Sequence, residues 1–269
     1  IKLDVIQPLH AAHSILGQLY ARTGRLEEAE RHLVQVVQRQ PEMQLLLSTI
    51  AREQGKREQS LSWAKSAEKV YRDLLALDPN NEKARVLLSA SMIAQNNYPA
   101  ASQALTDGLA RDDTPTMRTA LGDLYSRWYD VQSQETPSDL GARLALLEQG
   151  LRYNPANLGL MERINRLMGN ESAEAEKARA VLRELLTTGK ATASTHFVLG
   201  IDAYQRKNLD EARLHWERAH ELAPEFAVVS NNLAWLLAEG DKADPERALS
   251  LIDAALKRIP KQPDFRGTR

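Results

Sequence analysis

Small and large apolar residues recur along this chain at helical spacing. The stretch LGQLYARTGRLEEAERHL, which runs from Leu16 to Leu33, places Gly17 and Tyr20 three residues apart and Ala29 and Leu33 four apart. Intervals of three and four residues bring side chains onto one face of a helix. No segment shows the sustained alternation of apolar and polar residues that marks a strand. The pattern therefore predicts an all-α chain.

Small residues and helix-ending residues in and just after this stretch indicate two helices that pack against each other. Gly24 lies between them, where glycine can adopt positive φ and end the first helix. Gly17 and Ala29 are interpreted as the small residues at the helix crossing, because a larger side chain there would hold the two backbones apart. Pro41 is predicted to end the second helix, since proline cannot continue it.

The same arrangement returns further along the chain. The segment THFVLGIDAYQRKNLDEARLHWERAHELAP repeats it with Gly200, Ala212 and Trp216, and ARVLLSASMIAQNNYPAASQALTDGL and NNLAWLLAEGDKADPERALSLIDAALKRIP follow the same order. A period near 34 residues with the pattern W-x2-L-G-x2-Y, then A-x3-F, then P is typical of tetratricopeptide repeats. The chain resembles that family over nearly its whole length, with His13 at the tryptophan position and Leu33 in place of phenylalanine.

The resemblance implies a right-handed α-solenoid of about seven stacked antiparallel helix hairpins, forming a single superhelix over residues 1–269. The repeats are expected at residues 10–41, 42–79, 82–115, 116–155, 156–190, 193–226 and 227–260. Extra residues in the second repeat should lengthen its second helix. The fourth repeat carries an insertion, DVQSQETPSDL. Its first helix is expected to overrun into the insertion, and Thr136 is the expected N-cap of the helix that follows the loop.

Neither end of the sequence supplies the polar capping repeat that keeps a solenoid soluble. The opening IKLDVIQP resembles the tail of a preceding second helix, and PDFRGTR resembles the start of a following first helix. The chain is therefore expected to be a fragment of a longer array, and self-association through the uncapped ends is a further expectation.

The charge balance and the composition argue against several classes of partner and of functional site. Thirty-five basic and 36 acidic residues give a formal net charge of -1, which argues against a nucleic-acid surface or an anionic membrane surface. The absence of cysteine excludes disulfides, thiolate metal sites and a cysteine nucleophile. No apolar run approaches the length of a membrane span, so no direct membrane insertion is expected. The sequence does not indicate the cellular compartment.

Nothing in the sequence has the spacing of a catalytic centre. The motifs HExxH, GxSxG, GxGxxG and GxxxxGK[ST] do not occur. His10 and His13 are three residues apart, but two histidines without a nearby acid are a weak metal signal. We therefore expect no enzyme, and no catalytic, cofactor-binding or metal-binding residues within the chain.

The resemblance implies that the first helix of each hairpin lines a concave groove. The groove positions of the family, carried onto this sequence, are Ser14, Gln18, Thr49, Arg52, Val86, Ile93, Thr119, Asp123, Arg127, Arg166, Phe197, Ile201, Tyr204, Asn231 and Trp235. The aromatic members could anchor a partner peptide or helix. The alternative that some of these residues pack between repeats stays open.

Two hypotheses for function follow. The first is a non-catalytic protein–protein interaction scaffold that binds a partner peptide or helix on its concave face. The alternative is a docking or regulatory arm of a larger bacterial enzyme or of an envelope or exopolysaccharide export assembly, which rests on family analogy. The lysine and asparagine clamp with which some family members grip a C-terminal carboxylate is absent, because Phe197 and Ile201 occupy the required places.

Overall fold

The computed structural model describes residues 3–169, 172–238 and 243–258. Fourteen α-helices and no strand lie in these residues, so the prediction of an all-α solenoid of seven hairpins is confirmed. The chain divides into two compact units, residues 1–124 and 125–269, and the division falls within the seventh helix. That all seven hairpins form one continuous right-handed superhelix stays a prediction.

The first unit contains three complete hairpins and the start of the fourth. Its helices are α1 (Leu3–Arg22), α2 (Leu26–Leu33), α3 (Met43–Glu53), α4 (Arg57–Leu77), α5 (Glu82–Ile93), α6 (Tyr98–Leu109) and the first part of α7 (Pro115–Glu135). Each helix packs on the helix that follows it, from α1 to α6. The core consists of apolar residues of α2 to α6 that are almost fully buried, among them Leu33, Ile50, Ala64, Leu88 and Leu105.

The second unit holds the rest of α7 and the last seven helices. These are α8 (Leu140–Tyr153), α9 (Leu158–Met168), α10 (Ala173–Thr187), α11 (Ala193–Gln205), α12 (Leu209–Leu222), α13 (Ala227–Ala238) and α14 (Pro245–Arg258). Besides neighbours in sequence, α9 packs on α11 and α8 packs on α10. In these two pairs a first helix therefore stacks on a first helix and a second helix on a second helix, as in a solenoid.

Close approach of helices within a hairpin depends on glycine, as the sequence predicted. A Cβ atom added at Gly17 would lie 2.6 Å from Leu33 Cγ on the partner helix. One added at Gly200 would overlap the Trp216 indole, with Cε2 at 3.0 Å. Such distances are far below van der Waals contact, so the two helices can pack at this separation only because glycine has no side chain.

The turns inside the hairpins place one residue in the left-handed region. Gly24 and Gly55 have φ of 75°, while Asn96 and Lys207 reach the same region with φ of 60° and 62°. Glycine carries no steric penalty there, asparagine tolerates the conformation, and lysine is strained. The turn geometry is thus common to these hairpins although its residue is not.

Three boundaries differ from those predicted, and a fourth is not described. The opening stretch is not the tail of a preceding helix, because α1 runs without a break from Leu3. Helix α2 ends at Leu33 rather than at Pro41, since the following valines are poor helix formers and the chain continues in turns. The insertion is capped by Asp139, whose carboxylate accepts from Ala142 N, and not by Thr136. The predicted end of the last repeat lies outside the described residues.

Two length predictions are confirmed. Helix α4, the second helix of the second hairpin, is 21 residues long. Helix α7, the first helix of the fourth hairpin, also has 21 residues and extends into the insertion. Its extension is attached to the next hairpin by Asp130, which pairs in a bidentate manner with Arg163 of α9. The extension is therefore part of the packed unit.

Candidate functional site

All fifteen predicted groove residues lie on the first helix of a hairpin, and they differ widely in exposure. Those with exposed side chains are Gln18, Arg52, Thr119, Asp123, Arg127, Arg166 and Trp235. Those that are half-buried are Thr49, Val86, Ile93, Phe197, Ile201, Tyr204 and Asn231. Ser14 is buried, and its hydroxyl donates a 2.7 Å hydrogen bond to Gln40 Oε1.

Four of the predicted residues meet at one cavity between the sixth and seventh hairpins. The cavity has a volume of about 410 Å³. Its walls come from α11, α12 and α13, and its lining residues are Ile201, Tyr204, Gln205, Trp216, Asn231, Asn232 and Trp235. The helical period explains the grouping, because Ile201 and Tyr204 on α11, and Asn231 and Trp235 on α13, are spaced by three and four residues. We call this space the aromatic cavity.

Three rings shape the aromatic cavity. Tyr204 meets Trp235 edge to face, with ring centroids 5.4 Å apart and an interplanar angle of 87°. Tyr204 also lies 5.8 Å from Trp216 at a tilt of 31°. Trp216 is almost fully buried and is held by a hydrogen bond from Nε1 to the Phe197 carbonyl, whereas Trp235 is 37% exposed. Trp216 thus forms a fixed, buried wall of the cavity, and Trp235 forms an accessible one.

The lining of the aromatic cavity carries no charge. Its polar groups are the side-chain amides of Gln205, Asn231 and Asn232, and Asn231 Nδ2 lies 3.5 Å from Asn232 Oδ1. Asn231 Oδ1 is buried and has no hydrogen-bond partner among the described residues. Apolar ligands with a few polar contacts suit such a lining, because concave sites bind mainly through apolar surface and use polar groups to fix orientation.

Buried charges beside the cavity are compensated and do not face a ligand. Asp202 follows Ile201 in α11 and is 2% exposed. Its carboxylate accepts 2.9 Å and 3.0 Å hydrogen bonds from Arg179 Nε and Arg206 Nε. Hydrogen bonding to Asp202 raises the pKa of Arg179, against the opposing effect of burial. This cluster fixes α11 against α10 and so holds one wall of the aromatic cavity in place.

The other predicted residues do not line this cavity. Phe197 packs on Phe226, with ring centroids 5.2 Å apart, at the base of α13. Gln18 donates to Ser14, and Arg166 pairs with Glu162 on its own helix. A role for these residues in partner binding stays a prediction.

Sequence reasoning missed Trp216 as a lining residue. The repeat pattern places Trp216 on the second helix of its hairpin, where it is expected to pack, and the family resemblance puts groove residues on first helices only. The signal is nevertheless in the sequence, because a tryptophan opposite Gly200 is larger than the gap between two helices and must extend beyond it. Asn232 was passed over for a similar reason, since it is one residue away from the predicted groove position.

A second cavity, of about 430 Å³, lies in the first unit among α4, α5 and α6. Arg72, Arg85 and Asp107 contribute to its lining, and no predicted groove residue does. Arg85 already donates to the carbonyls of Ala104 and Pro79, so its charge is engaged in holding the hairpin together. We therefore regard the aromatic cavity as the better candidate.

The described part of the chain contains neither a cluster of metal-binding side chains nor a helix that could span a membrane. No cluster of three or more histidine, aspartate or glutamate side chains there could hold a metal ion. None of the helices found there is long and apolar enough to cross a membrane.

Comparisons with known proteins identify the repeat. Family models described as tetratricopeptide repeat match residues 64–124 and 193–226. No curated protein matches the chain significantly.

Solved structures similar to the chain include other repeat proteins. A tetratricopeptide repeat protein from Parabacteroides merdae is 17% identical, with 84% of this chain and 98% of that chain covered and a TM-score of 0.32. A thermophilic TPR protein of Thermus thermophilus is 21% identical, with 73% and 98% covered and a TM-score of 0.36. A chain of the APC/C hetero-tetramer Cut9–Hcn1 is 15% identical, with 93% of this chain covered and a TM-score of 0.42. This chain spans 46% of the length of that one.

Proposed function

Because the chain belongs to the tetratricopeptide-repeat family, we propose that it is a non-catalytic scaffold that binds a segment of a partner protein, with the aromatic cavity as the main anchor point. The aromatic cavity is the observation that carries this proposal. Four residues that the family resemblance assigns to the partner-binding groove line it.

The expected occupant is an apolar side chain of the partner. The lining has no charged group, and the exposed part of Trp235 is available for contact. A tryptophan side chain presents roughly 200 Å² of surface, and burying apolar surface contributes about 25 cal/mol per Å². With 37% of Trp235 exposed, covering it would contribute about 2 kcal/mol, which corresponds to about a thirtyfold change in Kd.

The test compares Trp235→Ala with a matched control. Leu214 of α12 is also apolar, is 65% exposed and does not line the aromatic cavity, so Leu214→Ala removes exposed apolar surface elsewhere, on the sixth hairpin. Partners that co-purify with the unaltered chain would be identified first. Their affinities for the purified variants would then be measured by calorimetry, with circular dichroism as the check on folding.

We expect Trp235→Ala to weaken binding about thirtyfold and Leu214→Ala to leave it within a factor of two. Equal affinities for the unaltered chain, Trp235→Ala and Tyr204→Ala, in folded protein, would show that the partner binds elsewhere. A role as the docking arm of a larger enzyme or export assembly would use the same cavity. It would be distinguished by the identity of the partner that co-purifies.

A further inference from the structure

Two hairpins bring a pair of histidines together in the same way. In the first hairpin His13 of α1 faces His32 of α2, with the two Nδ1 atoms 2.8 Å apart. In the sixth hairpin His196 of α11 faces His215 of α12, with Nδ1 atoms 3.0 Å apart. Each pair spans 19 residues, and each begins four residues before the glycine of the helix crossing. The two pairs therefore occupy equivalent places in the repeat.

The paired nitrogen atoms have the separation of two ligands on one metal ion. Imidazole nitrogen binds transition metals at about 2.0–2.1 Å. With Nδ1 atoms 2.8–3.0 Å apart, an ion bound to both would subtend an angle of roughly 90°. That is the angle between neighbouring ligands in square-planar and octahedral complexes, which Cu²⁺ and Ni²⁺ prefer, and it is smaller than the tetrahedral angle of Zn²⁺.

We propose that the His13–His32 and His196–His215 pairs are two equivalent chelating sites for a divalent transition-metal ion of the copper or nickel type. Two imidazoles from facing helices hold the ion, and water completes its coordination. Each ion would join the two helices of one hairpin.

The surroundings of the pairs fit metal binding. All four histidine side chains are half-buried, so packing orients the rings while part of each ring remains exposed to solvent. The rings of each pair are tilted by 44° and 45°, with centroids 4.9 and 5.3 Å apart, so the two hairpins present nearly the same geometry. In the metal-free state one Nδ1 donates its proton to the other. Metal binding requires only that this proton move to Nε2 of the same ring.

The sequence offered no indication of this pairing. His10 and His13 were the natural candidates because they are three residues apart, whereas the structural partner of His13 is on the other helix of the hairpin.

The experiment titrates tag-free protein with NiCl₂ and with CuCl₂ at pH 7.5, using calorimetry for stoichiometry. Electron paramagnetic resonance of the copper form reports the number of coordinated nitrogen atoms. The variants are His13→Ala, His196→Ala and the double variant, with His32→Gln and His215→Gln as milder replacements should an alanine variant fail to fold. His220→Ala is the matched control, since His220 is half-buried on α12 and faces the Ser230 hydroxyl instead of a histidine.

We expect two ions per chain for the unaltered protein and for His220→Ala, one ion for either single variant, and at least a tenfold loss of affinity at both sites in the double variant. The copper spectrum should show two nitrogen ligands. Undiminished stoichiometry in the double variant, or no binding by the unaltered protein at 100-fold molar excess of metal, would overturn the proposal and leave the pairs as simple hydrogen bonds.

Discussion

Replacing Gly200 by alanine adds one methyl group at the crossing of α11 and α12. The added Cβ would overlap Cδ1 and Nε1 of Trp216 and would lie 3.0 Å from its Cε2. The indole cannot yield easily, because it is 3% exposed and its Nε1 is hydrogen-bonded to the Phe197 carbonyl. The substitution therefore forces the ring or the whole helix to move.

Three terms, one favourable and two unfavourable, determine the size of the effect. Alanine is favoured over glycine inside a helix by about 1 kcal/mol. Overpacking a filled core costs about 1–3 kcal/mol, and losing the Trp216 hydrogen bond costs about 1 kcal/mol more. The net expectation for Gly200→Ala is a loss of about 2 kcal/mol in the free energy of unfolding.

Urea unfolding followed by far-UV circular dichroism measures this change, and a double-mutant cycle identifies its cause. In a Trp216→Leu background the clash is relieved, so Gly200→Ala should be neutral or stabilising by about 1 kcal/mol. Gly141→Ala is the control, because Gly141 lies in a helix and its added Cβ meets only Asp139 Oδ1 at 3.7 Å. If Gly200→Ala had the same effect in both backgrounds, the steric explanation of the repeat's glycine would be wrong.

Two further outcomes test the electrostatics of the second unit. The pKa of His196 is lowered to about 4, so between about pH 6.5 and 4 the unfolded chain binds a proton that the folded chain does not. The free energy of unfolding should fall by about 1–2 kcal/mol as the pH drops through this window, and urea titrations of the unaltered chain and of His196→Leu at pH 7.5 and 4.5 should differ accordingly. Asp202→Asn should cost about 3 kcal/mol because it leaves Arg179, 7% exposed, with a weaker partner, while Glu162→Gln in an exposed pair should cost less than 0.5 kcal/mol. Equal urea midpoints for these two variants would contradict the inference that the Asp202 carboxylate compensates the buried charge of Arg179.

The repeat itself could be predicted because its determinants are local. Gly17 and Gly200 stand at fixed distances from the small and large residues they pack against, so spacing alone places them at helix crossings. The long helices α4 and α7 were predictable for the same reason, since extra residues between two recognisable positions of the repeat must lengthen the helix or the loop between them.

Which side chains contact each other between neighbouring helices could not be predicted from spacing. The pairing of His13 with His32 and the position of Trp216 in the aromatic cavity depend on rotamers and on the separation of two helices. A sequence period places a residue on a face, but it does not say which side chain of the neighbouring helix reaches it. The cap of α8 was missed because Thr136 and Asp139 are both good N-cap residues, and only the path of the loop selects Asp139.

Packing between consecutive helices has a consequence for folding kinetics. In both units most interhelical packing joins elements adjacent along the chain, from α1 with α2 to α13 with α14. Short loops close at little entropic cost, so chains with such local topology fold rapidly for their size. A nucleus can form in any hairpin and grow by addition of its neighbours, which makes the order of assembly a matter of local stability rather than of a single obligatory pathway.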